Sequence, residues 1–377
     1  MMEWKNLVTV SNVLYGYPFD SSLFTEDSSC IPLIRIRDVK PAIASTYYSG
    51  SILENYVIKR GDILVGMDGE FNLEKWNDRD GLLNQRVLKL SGKENCCLSG
   101  FLFHYMKPVF KKIEKHTAGG SVKHLSAKAI NEISIPVPPL SEQQRIVSIL
   151  DTFTSSISNL KQQIEERRKQ YEYERDLLLD LEGKEEKDIH SWGECCEIKK
   201  GNGVQKADFV EEGIGCIHYG QIYTYYGTYT YTTNKFVAKG TFEKAKKASK
   251  GDIIMTDTSE NVEDICKSVA YLGEDDIAVS NHALILKHHQ NPLFLSFSTQ
   301  TNSFLTQKRK VVVGAKVSCI KPELFAQIKI YLPSLQEQSR IVSILDTFEA
   351  SIKNLEEQLA LREKQYEYYR NKLLTFE

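Results

Sequence analysis

The sequence predicts an α+β protein in which two β-rich domains are separated by two long helices. Two observations lead to this prediction. One segment with a pattern typical of a long helix occurs twice, and short β-branched runs occur elsewhere in the chain. We expect the domains at residues 1–137 and 184–332 and the helices at 138–183 and 333–377. The two helices are expected to pair as an antiparallel coiled coil about an internal pseudo-two-fold axis.

The repeated segment reads PPLSEQQRIVSILDTF from Pro138 and PSLQEQSRIVSILDTF from Pro333. Of the 42 positions aligned from Pro138 to Leu179, 27 are identical at a shift of 195 residues. That period is far too long for a solenoid repeat, so it indicates a duplicated half-molecule.

Each copy of the segment has the signals of a helix of about 40 residues, or roughly 60 Å. Proline precedes it, and Ser141 with Gln144 has the spacing of a capping box. Ser334 and Glu337 offer the same spacing in the second copy. After the first start, the next glycine or proline is Gly183.

Apolar and aromatic residues in both copies recur at the spacing of a coiled-coil seam. The predicted seam residues are Phe153, Ile157, Leu160, Ile164 and Tyr171, and in the second copy Phe348, Ile352, Leu355, Leu359 and Tyr366. Arg167 and Arg362 interrupt both seams at the same place, as polar residues that fix register often do. The alternative is two unrelated surface helices, but matching seams in one chain favour pairing between the two.

The two globular segments combine predicted strands with some helix. Arg86–Leu90 and Lys310–Val313 are β-branched runs typical of strands, and residues 98–116 have helical spacing. Gly61 and Gly251, each followed by Asp, are expected in tight turns before strands. Landmarks recur in order in the two segments while the residues between them differ, which suggests that constant helices carry divergent domains.

Composition narrows the class of protein. The chain has 377 residues, 41% hydrophobic and 26% charged, as in globular proteins. Its net charge of −2 means that any DNA-binding surface must be a local patch. The eight cysteines lack zinc-site spacing, no run of 18 apolar residues occurs, and the start lacks the apolar core of a signal peptide. We therefore expect a reduced, cytoplasmic protein.

Several strings resemble those of one family, the specificity subunits of bacterial type I restriction-modification systems. They are Pro136–Gln144 with its counterpart Leu332–Gln338, and Gly119–Leu125 and Val65–Asn72 in the first domain. The resemblance covers essentially the whole chain, as target-recognition domain 1, a central helix, target-recognition domain 2 and a distal helix.

This resemblance implies a DNA-binding subunit without catalysis of its own. Each recognition domain would read one half of a bipartite site in double-stranded DNA, and the helices would set the spacer. Two methyltransferase subunits would dock on the helices, and two motor-nuclease restriction subunits would join them. S-adenosylmethionine, ATP and magnesium are then expected on those partners, with no cofactor in this chain and no membrane.

A search for catalytic motifs agrees with this expectation. No GxxxxGK phosphate loop occurs. Asn291–Phe294 is the nearest string to a methyltransferase Asn-Pro-Pro-aromatic motif, but it lacks the second proline and reads as a loop or helix start. His288 and His289 are adjacent and therefore point different ways, so no metal site is predicted. The alternative class is a non-catalytic adaptor, two modules on a coiled coil that bind protein rather than DNA.

Candidate DNA contacts in the first domain lie in one loop and on one basic surface. Met67, Asp68 and Asn72 belong to a loop after a strand, and an amide suits adenine in the major groove; a solvated turn is the alternative. Lys111, Lys112, Lys115 and Lys123 are the candidate phosphate contacts. A solvated helix face would explain these lysines equally well.

In the second domain, the candidates are a tyrosine-rich stretch and a basic run. The stretch 219–231 holds Tyr219, Gln221 and Tyr223, and its tyrosines fit either a half-buried strand or stacking beside a flipped base. The basic candidates are Lys308, Arg309, Lys310 and Lys316. For the run 308–310, phosphate contact is favoured over base reading.

Overall fold

The structure is a computed structural model that describes residues 3–117, 123–314 and 318–376. Its contacts divide the chain into two compact units. The first unit comprises the described part of 1–161 with 358–377, and the second unit comprises that of 162–357. Each unit therefore combines one β-rich domain with half of each long helix.

Twelve α-helices are found in the described residues. They are α1 Leu7–Val10, α2 Ile36–Val39, α3 Ser99–His116, α4 Ala127–Asn131, α5 Leu140–Leu179, α6 Trp192–Cys195, α7 Tyr219–Thr224, α8 Lys239–Lys244, α9 Pro292–Ser298, α10 Asn302–Val311, α11 Pro322–Phe325 and α12 Leu335–Leu374. The two predicted long helices, α5 and α12, are each 40 residues long. In the second copy Ser334 caps the helix, its hydroxyl accepting the Glu337 amide at 3.3 Å, whereas in the first copy the helix begins one residue before Ser141.

The first unit contains eleven strands among its described residues. They are β1 Glu3–Asn6, β2 Ser11–Tyr15, β3 Phe24–Thr25, β4 Ile31–Ile34, β5 Tyr47–Tyr48, β6 Val57–Ile58, β7 Ile63–Gly66, β8 Leu73–Lys75, β9 Gly81–Leu83, β10 Val87–Gly92 and β11 Ser134–Val137. One antiparallel sheet has the order β2-β10-β7-β8 and a second sheet has the order β3-β5-β4-β9-β6, with β4 and β9 parallel. Strands β1 and β11 pair as a separate ribbon at the domain boundary.

The second unit repeats this topology, with a fifth strand in its first sheet and one additional strand pair. Its strands are β12 Ile189–Ser191, β13 Cys196–Lys200, β14 Phe209–Val210, β15 Ile214–Ile217, β16 Tyr229–Thr230, β17 Lys235–Val237, β18 Lys246–Ala248, β19 Ile253–Thr256, β20 Thr258–Ser259, β21 Ser268–Tyr271, β22 Ile277–Val279, β23 Ala283–His288, β24 Ser318–Cys319 and β25 Lys329–Tyr331. The sheets have the orders β13-β23-β19-β21-β16 and β14-β17-β15-β22-β18, with β12 and β25 as the boundary ribbon and β20 with β24 as the additional pair. The parallel pair β15–β22 corresponds to β4–β9. The two domains thus share a fold despite their divergent sequences.

The hydrophobic core of each unit is completed by both long helices. In the first unit, Ile146 and Leu150 of α5 pack with the buried face of α3, and Tyr366 of α12 lies against the same core. In the second unit, Ile341 and Leu345 of α12 pack with Tyr171 of α5. Some predicted seam residues therefore bury their rings in a domain core rather than only against the other helix.

The half-helices within each unit run antiparallel. In the first unit, Phe153 stacks on Tyr369 with ring centroids 5.2 Å apart, and the Arg362 guanidinium lies 5.7 Å from the Phe153 centroid. In the second unit, the Arg167 guanidinium lies 5.8 Å from the Phe348 centroid. The two arginines that interrupt the predicted seams therefore make equivalent cation–π contacts with the facing helix.

One buried glutamine joins the start of each long helix to the preceding domain. Gln143 accepts the Leu98 amide at 2.8 Å and donates to the carbonyls of Cys96 and Pro138 at 3.1 and 2.8 Å. Gln338 accepts the amide of Asn291 at 3.0 Å and donates to Pro333 at 2.8 Å in the same way. The glutamine that follows glutamate in both copies thus satisfies backbone groups that are buried or partly buried.

Replacing Gln143 with alanine should lower the free energy of unfolding of the first unit by about 3 kcal/mol, because three backbone groups are left without their partner. The unfolding transition of the full chain in urea, followed with hydrogen exchange of α3, measures the decrease. Gln144→Ala is the matched control, since that neighbour is exposed. A decrease no larger than that of the control would contradict this role.

Several local predictions are confirmed and two are wrong. Gly61 and Gly251 adopt φ of +94° and +91° in turns, and Asn291 caps α9 as a helix start. Residues 219–224 of the tyrosine-rich stretch form helix α7 rather than a half-buried strand, whereas Tyr229–Thr230 of the same stretch do form a half-buried strand. The run from Lys310 ends helix α10 instead of forming a strand, because Phe304 and Lys308 give the preceding residues a helical buried face.

Candidate nucleic-acid interface

Both domains present the same backbone framework beside the end of a central strand. After β7, the Met67 amide donates to Arg86 O at 2.9 Å and the Met67 carbonyl accepts the Leu125 amide at 2.7 Å. After β19, Asp257 makes the equivalent bonds with His282 and Ile320 at 3.1 and 3.0 Å. In each domain, the residue after the strand is thus bonded on one side to a turn and on the other side to the segment that precedes a short helix, α4 or α11.

The turn in each framework places a large side chain on a left-handed backbone. Arg86 has φ +70° and His282 has φ +63°. Residues other than glycine, asparagine, aspartate and histidine seldom adopt this conformation, so Arg86 is the more unusual of the two, and such strain concentrates at functional sites. Both side chains are exposed, Arg86 at 56% and His282 at 52%.

The first polar cluster consists of Asp68, Arg86 and His124. Asp68 Oδ1 lies 2.5 Å from His124 Nδ1, and Asp68 Oδ2 lies 3.5 Å from Arg86 Nε. Arg86 Nη1 is 3.4 Å from His124 Nδ1. One carboxylate therefore orients two exposed side chains that can donate hydrogen bonds.

The second polar cluster consists of Lys200, Asp257, Thr258 and His282. The buried Asp257 lies 2.8 Å from Lys200 Nζ and accepts the Thr258 hydroxyl at 2.9 Å. That hydroxyl is 3.2 Å from His282 Nδ1. As in the first cluster, one carboxylate lies beside an exposed cation and a histidine ring at the turn, but Asp257 is buried whereas Asp68 is partly exposed.

Two of the sequence-predicted residues of the second domain adjoin this cluster. The Tyr219 ring lies 5.4 Å from the His282 ring, and the Tyr223 hydroxyl donates to Thr258 O at 2.7 Å. Burial raises the pKa of Tyr223. Gln221 accepts the His218 amide at 2.8 Å and donates to Asn234, so its amide caps α7 locally rather than projecting freely.

Three predicted residues of the first domain meet around Glu114. Lys111 Nζ lies 3.1 Å from Glu114 Oε2 and 3.3 Å from Asn72 Oδ1, and Lys123 Nζ donates to Glu114 O at 2.7 Å. Burial acts to raise the pKa of Glu114, but the Phe71 amide and Lys111 outweigh it and lower that pKa. Lys112 and Lys115 are exposed on α3. The amide of Asn72 also donates to Glu70, so it is engaged within the loop.

Met67 and Lys308 were predicted from the sequence as DNA contacts, but both side chains are buried. Met67 belongs to the hydrophobic core of the first unit and therefore offers little surface to DNA. Lys308 is 2% exposed, and its Nζ donates to Glu263 O and Ile265 O at 2.9 Å each. Burial lowers the pKa of Lys308. Its amine ties a loop to α10, while Arg309 and Lys310 remain exposed.

Replacing Arg309 and Lys310 with alanine should weaken binding to every DNA sequence and reduce the salt slope by about one for each phosphate that is no longer neutralised. The exposed guanidinium of Arg309 is only 3.9 Å from Glu263, a weak surface pair that phosphate can displace. Binding titrations at several salt concentrations measure the slope. A change in the preferred sequence would mean that this run reads bases.

The residues of the two polar clusters other than Asp68 were not identified from the sequence. The recurring strings Asn84-Gln85 and Asn281-His282 mark the turn, but neither predicts a left-handed arginine or histidine. Lys316 lies outside the described residues. In the part of the chain that the structure describes, no group of three or more His, Cys, Asp or Glu is arranged to hold a metal ion. The described helices include none long and apolar enough to span a membrane.

Comparison with known proteins identifies the family. The model of the type I restriction modification DNA specificity domain matches twice, at residues 16–167 and 184–361. The Escherichia coli EcoBI specificity subunit is 39% identical over 42% of this chain, which corresponds to 33% of that subunit. The EcoR124I/EcoR124II specificity subunit of Escherichia coli is 28% identical over 85% of this chain and 82% of its own length. The MjaVIII specificity subunit of Methanocaldococcus jannaschii is 23% identical over 98% of this chain and 87% of its own.

Solved structures share the fold. The type I restriction-modification S subunit from M. genitalium aligns with a TM-score of 0.61 at 16% identity, covering 100% of this chain and 97% of that one. A chain from a study of complex assembly and conformational transition of the type I system aligns with a TM-score of 0.56 at 16% identity, covering 99% and 97%. The family model covers most of the sequence in two copies, one for each domain and its adjoining helix. The chain therefore belongs to the family of type I restriction-modification specificity subunits.

Proposed function

We propose that each domain of this specificity subunit reads one half of a bipartite target in double-stranded DNA. The observation that carries the proposal is the shared framework, in which two domains with divergent sequences hold a polar cluster with one exposed cation at an equivalent left-handed turn. The side chains at the turn differ, Arg86 in one domain and His282 in the other. Different side chains on one framework would read different bases.

The chemistry of both clusters suits DNA. An arginine guanidinium can donate two parallel hydrogen bonds to O6 and N7 of guanine, and Asp68 restricts the orientation of Arg86. In the second cluster, Lys200 supplies charge for phosphate, and Tyr219 offers a half-exposed ring beside His282. The basic side chains on α3 and at the end of α10 lie on the same domains as additional phosphate contacts.

The long helices set the spacer and dock the methyltransferase subunits in this proposal. Tyr173 of α5 and Tyr368 of α12 occupy identical positions in the repeat and are 67% and 60% exposed. Helix pairing explains why the seam residues are the same in both copies. It does not explain why these exposed tyrosines are also the same in both copies. A partner that binds both copies in the same way would explain it, since exposed aromatic rings are favoured at interfaces.

Methylation and cleavage belong to the partner subunits in this proposal. The chain would bind neither S-adenosylmethionine nor ATP, and magnesium would act with the motor-nuclease subunits. The proposal is supported by the family and by the absence of phosphate-loop and methyltransferase motifs from the sequence. Calorimetric titration of the isolated chain with each cofactor tests this point, and micromolar binding would contradict it.

A map of adenine methylation in cells that carry this chain with its methyltransferase partner tests the whole proposal. The expected result is one split sequence, two specified blocks separated by a fixed number of unspecified bases. A continuous recognition sequence, or no methylation in the presence of a folded complex, would contradict the assignment of one half-site to each domain and favour a protein-binding adaptor.

Replacing both Tyr173 and Tyr368 with alanine should weaken binding of the methyltransferase subunit by at least about tenfold, because exposed tyrosines are frequent energetic centres of interfaces. DNA binding by the variant chain should be unchanged. Leu361→Ala is the matched control, since Leu361 is exposed on α12 but glutamate occupies its position on α5. Equal effects of the control and the tyrosine variant would show that these rings are not a specific docking site.

A further inference from the structure

The two long helices carry opposite charges at two positions that face each other. In the first unit, Lys161 Nζ lies 3.1 Å from Glu363 Oε1. In the second unit, Arg168 Nη2 lies 2.5 Å from Glu356 Oε1. The 195-residue shift maps Lys161 onto Glu356 and Arg168 onto Glu363. The two ion pairs are therefore one contact made twice, with both cations on α5 and both anions on α12.

At the predicted seam positions the helix pairing does not distinguish α5 from α12, although Phe153 also stacks on Tyr369, whose counterpart on α5 is Glu174. Four of the five seam positions carry the same residue in both copies, and the fifth pairs isoleucine with leucine: Phe153 with Phe348, Ile157 with Ile352, Leu160 with Leu355, Ile164 with Leu359 and Tyr171 with Tyr366. The cation–π contacts of Arg167 and Arg362 are also equivalent. At these seam positions and cation–π contacts, α5 would fit a second α5 as well as it fits α12.

The four charges do make this distinction. Two α5 helices paired in the observed register would set Lys161 against Arg168 twice. Two α12 helices would set Glu356 against Glu363 twice. Facing charges of like sign are destabilising, whereas opposite charges at these positions are attractive.

We propose that four charged residues determine which helix pairs with α5, namely Lys161, Arg168, Glu356 and Glu363. They favour pairing of α5 with α12 and disfavour pairing of α5 with a second α5. Exchange of an equivalent element between chains is a low-cost route to dimers, and this chain contains two nearly equivalent helices. Homotypic exchange would bring together two copies of the same domain. The charge pattern keeps two different domains in one subunit, and this role does not depend on what the domains bind.

Hydrogen exchange on the full chain tests the contact through a cycle of charge reversals. K161E/R168E makes all four positions acidic, and E356K/E363K makes them all basic. Each should speed amide exchange in residues 157–168 and 352–363 by about thirtyfold, since two exposed pairs change sign, and the combined variant should restore the original protection. K169E is the control, because Lys169 pairs with Glu165 on its own helix and should not be rescued by E356K/E363K.

A second measurement tests selectivity itself. The all-acidic and all-basic full chains, co-expressed with different tags, should form a mixed dimer with exchanged helices. Its dissociation constant should be about a thousandfold lower than that of a dimer of two wild-type chains. The reason is that four contacts that are repulsive in the two separate variant chains become attractive in the mixed dimer, whereas in wild type they are attractive before and after exchange. Native mass spectrometry over a concentration series measures the dissociation constants of the mixed dimer and of the wild-type dimer. Absence of rescue in the cycle, or no excess of mixed dimer over the wild-type pair, would overturn the proposal.

Discussion

Replacing Arg86 with alanine is expected to weaken binding to the cognate duplex by about tenfold to a hundredfold and to relax the sequence requirement in one half-site only. Removal of a bidentate hydrogen bond to a base costs about 1–3 kcal/mol. The other half-site should be read unchanged, because the second polar cluster lies in a separate domain on its own strands. Competition binding with duplexes altered in either half-site measures both effects.

Two further variants at the same position separate folding from recognition. Arg86→Gly removes the side chain but suits the left-handed backbone at φ +70°, so its fold should be at least as stable as that of the wild type. It should nevertheless lose as much affinity as Arg86→Ala. Arg86→Lys keeps the charge but not the planar fork, so it should recover non-specific binding without recovering discrimination. Loss of affinity without loss of discrimination in Arg86→Ala would show that Arg86 contacts phosphate rather than a base.

The long helices and the presence of two β-rich domains could be predicted because they depend on local signals. Spacing of apolar residues, proline before the helix start and the identity of the two copies were sufficient for α5 and α12. The role of Gln143 could not be derived in the same way. Its three bonds reach backbone groups of Cys96, Leu98 and Pro138, and only the fold shows that those groups lie beside the glutamine.

The errors arise where tertiary packing decides the outcome. The tyrosines of residues 219–224 suggested a strand, but the His218 cap and the buried Ile222 make a short helix there. The sequence favours Lys308 as a phosphate contact, yet its position on α10 directs it inward to two carbonyls. The compact units were also not apparent, because Tyr366 completes a core more than 200 residues away in sequence, and no local pattern reports such a contact.

Lengthening both long helices by one heptad is expected to lengthen the unspecified spacer of the DNA target and to leave both half-sites unchanged. The structure indicates where the residues should be inserted: between Lys161 and Gln162 in α5 and between Glu357 and Gln358 in α12, which are the boundaries of the two units. Each unit then keeps its domain, its half-helices and its ion pair. Seven residues are close to two full turns, so the seam continues to face the partner helix.

The heptad adds about 10 Å along a helix, and DNA rises about 3.4 Å per base pair. Because the helices need not lie parallel to the duplex, about three base pairs is the upper limit, and we expect a spacer one to three base pairs longer. The control is the same heptad in α5 alone, which places the halves of the helix pair out of register and should abolish methylation. The methylation map of cells carrying the doubly extended chain measures the spacer. An unchanged spacer, or altered bases in either block, would show that the helices do not set the distance.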